Sequence, residues 1–183
     1  LKINGELIAA FVLKDRLKHE AKEALEYFNK QQIETILLSG DNKFRCDKIA
    51  QNLNFTCVFS EQGPLEKIEK INTRGLKNII SMVGDGINDA PALSKANVGI
   101  SFGSASEIAI QSASILLLRP DLGLLLKSHQ ICKHTFLTIK QNLFWAFSYN
   151  LVAIPLASMG FLNPMFAALA MAFSDFVVIG NSI

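Results

Sequence analysis

Cysteine is scarce in this 183-residue chain: Cys46, Cys57 and Cys132 are the whole complement, an odd number with no C-x-x-C spacing. That excludes a disulfide scaffold and a closed zinc site, and it points to reduced thiols. Net charge is nearly absent as well. The 18 Lys and Arg against 16 Asp and Glu leave +2, which gives no reason to expect nucleic acid as a partner. No basic-then-apolar leader opens the chain, and there is no internal repeat or low-complexity tract. A hydrophobic share of 50% excludes disorder. An initiator Met is missing too. Leu1 enters the patterned sequence at once, so the chain is expected to be a piece of a longer protein.

The most telling absence is local. From Gln141 to Ile183 there is one charged residue, Asp175, and every Lys and Arg lies at or before Lys140. Leu143–Leu162 carries no charge and is interrupted only by Ser148, Tyr149, Asn150, Pro155 and Ser158; after an Asn163-Pro164 turn, Met165–Ile183 is a second apolar run. At about 1.5 Å per residue, each run is close to one hydrocarbon thickness of about 30 Å. The alternative, a buried helical hairpin of a soluble protein, rarely reaches this length without charge. Two transmembrane helices are therefore expected at 143–162 and 165–183. Lys127, Lys133, His134 and Lys140 precede the first of them, which places the soluble part in the cytoplasm. The expected setting is the plasma (inner) membrane, with lipid as a partner.

What precedes is patterned differently. Short apolar runs alternate with helix-like ones: strands at Leu7–Leu13, Glu34–Leu38, Cys57–Phe59 and Asn78–Val83, and helices at Glu20–Gln31, Lys43–Leu53 and from Pro64 to Thr73. Ala90–Lys95, Asn97–Ile100, Glu107–Ser112 and Ser114–Leu118 continue the alternation. Apolar strands joined by helices of this length predict an α/β fold, a parallel sheet covered on both faces. Ligands of such sheets bind at the carboxyl ends of strands, where two polar turns fall, Ser39–Asn42 and Gly84–Asp89.

The second turn is the most informative stretch. In Gly84-Asp85-Gly86-Ile87-Asn88-Asp89-Ala90-Pro91, two carboxylates four apart follow an apolar strand. They can converge on a hard cation such as Mg²⁺, which takes one or two carboxylates, waters and a phosphate oxygen. The opening G-x-G is not a dinucleotide fingerprint, because its sixth position is Asp89 rather than Gly.

GDGINDAP resembles the hinge motif of the P-type ATPases, cation pumps phosphorylated on an aspartate. The longer string MVGDGINDAPALSKANVGISFGSASEIAIQSASILLL resembles their heavy-metal branch, copper pumps above all. The likeness covers essentially the whole chain. It implies that residues 1–125 are the second half of a haloacid-dehalogenase-like phosphorylation domain with a partial Rossmann-like sheet. Residues 126–142 would be a basic cytoplasmic linker helix, and 143–183 the last two membrane helices.

The resemblance also implies roles. Ser39-Gly40-Asp41 is similar to the family's TGD motif with Ser for Thr; its hydroxyl remains available to a phosphate, and Gly40 and Asp41 would serve dephosphorylation and actuator docking. Pro64 and Lys67 resemble a P-x-x-K element whose Lys meets phosphate. Asp85 matches the Mg²⁺ ligand, and Asn88 and Asp89 match residues supporting the phosphate and metal site. Asp15 resembles the aspartate of a D-x turn, with Arg16 where Pro is usual. The family's nucleophile, the Asp of DKTGT, does not occur here. The nucleotide-binding domain, the actuator domain and the earlier helices would come from the missing N-terminal part, and this chain alone should not turn over ATP.

Within the apolar runs, polar groups invite a functional reading. Tyr149-Asn150 matches a pair in the copper-pump signature. Met171, Ser174 and Asp175 share one helix face. The copper pumps show M-x-x-S-S there, and a thioether suits Cu(I). Asp175 departs from that pattern and keeps a zinc or cadmium pump open. Cys132, His129 and His134 have no ligand spacing. The expectation is thus the C-terminal part of an ATP-driven Cu(I) exporter using Mg²⁺ and ATP, with a copper chaperone as a further partner. The rival readings are a separate membrane-anchored subunit that binds Mg²⁺ or phosphate, and a soluble phosphatase of the same broad fold.

Overall fold

The computed structural model describes residues 2–3, 6–8, 17–161 and 163–182. They fall into two compact units, Leu1–Leu126 and Lys127–Ile183.

In the first unit a short antiparallel pair, β1 (Lys2–Ile3) with β2 (Glu6–Leu7), is followed by alternating helices and strands. These are α1 (Ala21–Lys30), β3 (Ile36–Leu38), α2 (Lys43–Asn52), β4 (Cys57–Phe59), α3 (Pro64–Gly75) and β5 (Ser81–Val83). A 3-10 turn (Ile87–Asp89), α4 (Ala90–Lys95), β6 (Val98–Phe102), α5 (Glu107–Ser112) and β7 (Ile115–Leu117) complete it. Local chemistry sets the helix starts. The Asn42 side chain accepts from Arg45 N–H to cap α2, Ser106 accepts from Ala109 N–H to cap α5, and Pro64 opens α3.

Every pairing from β3 onward is parallel, as the apolar strands predicted, but the sheet comes in two pieces, β3–β4 and β5–β6–β7. Of the strand expected at Leu7–Leu13, only its start is seen, in β2; residues 9–16, including Asp15, lie outside the described residues.

The core sits on the second piece. Ile100 and Phe102 of β6 and Leu117 of β7 are buried together, with Val83 and Leu122, Leu124 and Leu125 packed against them. On the opposite face of β6, α4 approaches so closely that a Cβ on Gly99 would lie 2.5 Å from the Leu93 carbonyl oxygen. Only glycine fits there.

The second unit holds most of α6 (Leu122–Ser158) and all of α7 (Pro164–Ser182). Helix α6 closes in a Schellman motif: Gly160 has φ +76°, its N–H donates to Ala157 O, and Phe161 N–H donates to Leu156 O. Asn163 then caps α7 through Met165 N–H. The two helices are tied at the other end by side-chain amides. Asn181 Nδ2 donates to Asn142 Oδ1 (2.8 Å) and Gln141 Oε1 (3.2 Å), and Asn142 Nδ2 donates to Ser182 Oγ (2.7 Å).

Both apolar runs are therefore helical, with α6 ending at Ser158 rather than Leu162. Among the described residues, however, no helix is long and apolar enough to cross a membrane.

Candidate functional site

Three segments meet beyond the carboxyl ends of β3 and β5. The β3–β4 ladder runs on to Ser39, whose N–H donates to Phe59 O (3.0 Å). Gly40 and Asp41 then turn away toward Asn42. Asp41 N–H donates to Ser39 Oγ (3.1 Å), which fixes the hydroxyl over the turn. Two further bonds stitch this turn to the residues before α3: Gln62 N–H donates to Ser39 O (2.9 Å) and Glu61 N–H to Asp41 O (2.8 Å). Glu61 takes the left-handed conformation, φ 57°, to make that contact.

From there α3 carries Lys67 in its first turn. Its Nζ lies 2.7 Å from Asp89 Oδ1, with side-chain exposures of 11% and 17%. Asp89 closes the turn that follows β5. Gly84 continues the ladder, its N–H donating to Ile100 O (3.1 Å). A Cβ at Gly84 would lie 2.8 Å from Asp89 Cβ, and one at Gly86 3.3 Å from Asp89 Oδ2. Both glycines thus make room for the carboxylate that holds Lys67. The Asp85 main chain is pinned by Ser106 N–H donating to its carbonyl oxygen (3.1 Å). Its carboxylate is exposed and has no partner among the described residues. Asn88 is exposed on the same turn.

So the structure brings Ser39, Gly40, Asp41, Lys67, Asp85, Asn88 and Asp89 to one end of the first unit. The donors are oxygens, with one carboxylate free in Asp85. That fits Mg²⁺, which keeps waters and takes few protein ligands. Among the described residues no three His, Cys, Asp or Glu side chains form a closed cage. An ammonium, a hydroxyl and a hard-cation ligand suit a phosphoryl group, whose chemistry needs positioning and charge neutralisation.

The candidates in the second unit are arranged otherwise. The Asn150 amide donates to Ala146 O (3.0 Å), Met171 is 60% exposed, Ser174 is half-buried and Asp175 is exposed. Tyr149 is half-buried on α6.

Sequence reasoning missed Glu61, Gln62 and Ser106, which act through main-chain groups and so leave no side-chain signature. It also missed that Lys67 is held by Asp89.

The fold has counterparts among known proteins. The family model for haloacid dehalogenase-like hydrolases matches residues 1–97. A probable cation-transporting ATPase of Haemophilus influenzae is 42% identical over the whole chain, which covers 26% of that protein. A copper-exporting P-type ATPase of Staphylococcus aureus is 41% identical over the whole chain, which covers 23% of it. The chain thus spans about a quarter of the length of these curated relatives. Among solved structures, a zinc-transporting PIB-type ATPase in an E2.Pi state superposes with a TM-score of 0.86 at 27% identity, over 92% of this chain and 28% of that one.

Proposed function

This chain belongs to the haloacid dehalogenase-like hydrolase family, in its P-type ATPase branch, and we propose that it forms part of a heavy-metal pump that exports Cu(I). It would supply the Mg²⁺-binding half of the phosphorylation domain and the last two membrane helices. The observation that carries this reading is the Lys67–Asp89 ion pair, which joins α3 and the GDGIND turn beside Ser39-Gly40-Asp41.

In the proposed cycle an aspartate outside these 183 residues attacks the γ-phosphorus of ATP through a carboxylate oxygen. The bond to the β-γ bridging oxygen breaks and ADP leaves. Water later attacks the acyl phosphate, restoring the carboxylate and releasing phosphate. Ser39 Oγ would donate to a phosphoryl oxygen and Lys67 Nζ would offset its charge, exchanging part of its contact with Asp89 for the phosphate. Asp85, with Asp89 and Asn88 beside it, would hold Mg²⁺, which supplies charge neutralisation on the phosphoryl oxygens.

The end of α6 and all of α7 would lie in the plasma (inner) membrane, with the first unit in the cytoplasm. Exposed Phe147, Leu151, Ile154, Phe173, Phe176 and Ile179 need an apolar cover. The polar positions of both helices would face neighbouring helices of the pump. Tyr149, Asn150, Met171 and Ser174 would contribute to the Cu(I) site. A second reading, a Zn(II) or Cd(II) pump, draws on the exposed carboxylate of Asp175 and on the zinc-transporting structure that this chain resembles. A copper chaperone would deliver the cargo.

The test is transport. A chimera carrying this chain in place of the matching quarter of a copper-exporting relative is assayed in inverted membrane vesicles. ATP-dependent uptake of Cu(I) in excess of Zn(II) and Cd(II) supports the reading. Uptake of Zn(II) alone moves it to the second, and no uptake by a correctly inserted chimera contradicts both.

A further inference from the structure

Where α6 and α7 are tied, away from the Gly160 turn, their side chains form a directional chain of hydrogen bonds. Asn181 Nδ2 donates to Asn142 Oδ1 and Gln141 Oε1, and Asn142 Nδ2 donates to Ser182 Oγ. The Ser182 hydroxyl gives its own proton to Val178 O at 2.8 Å. Ser182 Oγ can therefore only accept from Asn142, so Asn142 turns its amide nitrogen to Ser182 and its oxygen to Asn181. Flipping either amide would set donor against donor or acceptor against acceptor. The cluster stands where charge ends: Gln141 and Asn142 follow Lys140, and Asp175 is the one charged residue after it. On an apolar helix seam a polar side chain specifies register, because a slip strands its hydrogen-bonding groups.

Burial and spacing mark that seam. On α6, Asn142, Ala146, Tyr149 and Ala153 are half-buried at intervals of four, three and four residues. On α7, Ser174 and Val178 are half-buried, with Met171 three residues before Ser174 and Asn181 three after Val178. These are the intervals of one helix face. The short Gly160 connection joins the helices at one end and the amides tie them at the other, so the two run antiparallel. Tyr149 lies seven residues beyond Asn142, and Ser174 seven before Asn181. At about 1.5 Å per residue, each stands about 10 Å from the tie. Tyr149 and Ser174 thus share one level of one seam. A slip of α7 by a single residue would carry Ser174 about 100° around its axis and off that seam.

We infer that Asn142 and Asn181, with Gln141 and Ser182, are positioning residues for the transported ion: their amide clamp sets the register of α7 on α6 and so keeps Ser174 level with Tyr149. That Tyr149 and Ser174 meet the ion rests on the pump reading above; the control of register by the clamp does not.

The experiment uses the chimera in membrane vesicles and reads register and transport separately. Register is read, with Cys132→Ser in the background, from the yield of a short thiol crosslinker scored by mass spectrometry. Ala146→Cys with Val178→Cys is the matched pair, four residues beyond Asn142 and four before Ser182. Ala146→Cys with Ser174→Cys is one turn out of step. Transport is read, without the added cysteines, as the Cu(I) concentration for half-maximal uptake and the rate at saturation. Asn181→Leu removes the amide and should lower the matched link at least about fivefold. It should raise the half-maximal Cu(I) concentration about tenfold, with the saturating rate within about twofold. Asn181→Gln keeps an amide donor and should restore both readings to within about twofold. An unchanged link in Asn181→Leu overturns the clamp's hold on register. A lost link with an unchanged half-maximal concentration, or with a fall in saturating rate alone, overturns its hold on the ion. Losses that Asn181→Gln does not restore make the cluster a general support of the helix pair and overturn the proposal. A parent chimera that inserts but takes up no metal discards the pump reading and the ion role with it, while the crosslink still decides the register.

Discussion

Lys67 and Asp89 are 22 positions apart in sequence, on different elements, yet their side chains meet at 2.7 Å and are nearly closed to solvent. Everything else at the site is arranged around that contact. Gly84 and Gly86 leave space for Asp89, and Pro64 and Gly63 set the start of the helix that presents Lys67.

A buried charge left without its partner is costly. Lys67→Ala and Asp89→Ala are each expected to lower unfolding stability by about 3–5 kcal/mol, while Lys67→Met with Asp89→Leu should cost much less. Urea denaturation of the three variants measures this. Equal losses in single and double variants would show that the pair contributes nothing as a pair.

Gly84→Ala should act on the same contact indirectly. The new Cβ would press on Asp89 Cβ, 2.8 Å away, and displace its carboxylate from Lys67. The expected loss is about 1–3 kcal/mol, checked by thermal unfolding. Gly40→Ala is the contrast: its Cβ would stand 3.4 Å from Gln62 O, so the fold should hold.

Asp85→Asn separates chemistry from folding. Its carboxylate is exposed and unpaired among the described residues, so stability should change by no more than about 0.5 kcal/mol. Mg²⁺-dependent phosphorylation of the chimera should nevertheless be lost. A fully active variant would remove Asp85 from the metal site.

In the helical pair, Asn181→Ala removes both amide bonds that Asn181 makes to α6. Such bonds are worth about 1–2 kcal/mol or less each. The last turn of α7 should exchange its amides faster, with the start of α7 unchanged. No change would mean that the helices are held by their connection alone.

Met171→Ala in the chimera should abolish Cu(I) uptake and Met171→Leu should do the same, since the sulfur rather than the volume is the ligand. If Asp175→Asn removes transport and Met171→Leu does not, the ion site belongs to a harder metal.

Much of this was legible in the residues. The strand at Cys57–Phe59 and the helices at Ala90–Lys95 and Glu107–Ser112 fall where the apolar pattern put them. The two polar turns lie at strand ends, as a parallel sheet requires. What was not legible depends on relations between distant residues. The split between β3 and β5 leaves no mark on either strand, because each is as apolar as a fully paired one. The tie from Gln62 to Ser39 is made by main-chain groups that every residue carries. The end of α6 was read from Asn163-Pro164, but the helix stops earlier, at Ser158, and is closed by Gly160, whose positive φ no apolar count reports.

The central claim is that these residues complete an aspartyl-phosphate site. It is tested most directly by phosphorylating the chimera with γ-labelled ATP, in Mg²⁺ and Cu(I), and treating the product with hydroxylamine. The account predicts a Cu(I)-dependent, hydroxylamine-labile label that disappears in Asp85→Asn. A chimera that inserts in the membrane, retains its nucleophilic aspartate and takes up no label would contradict it.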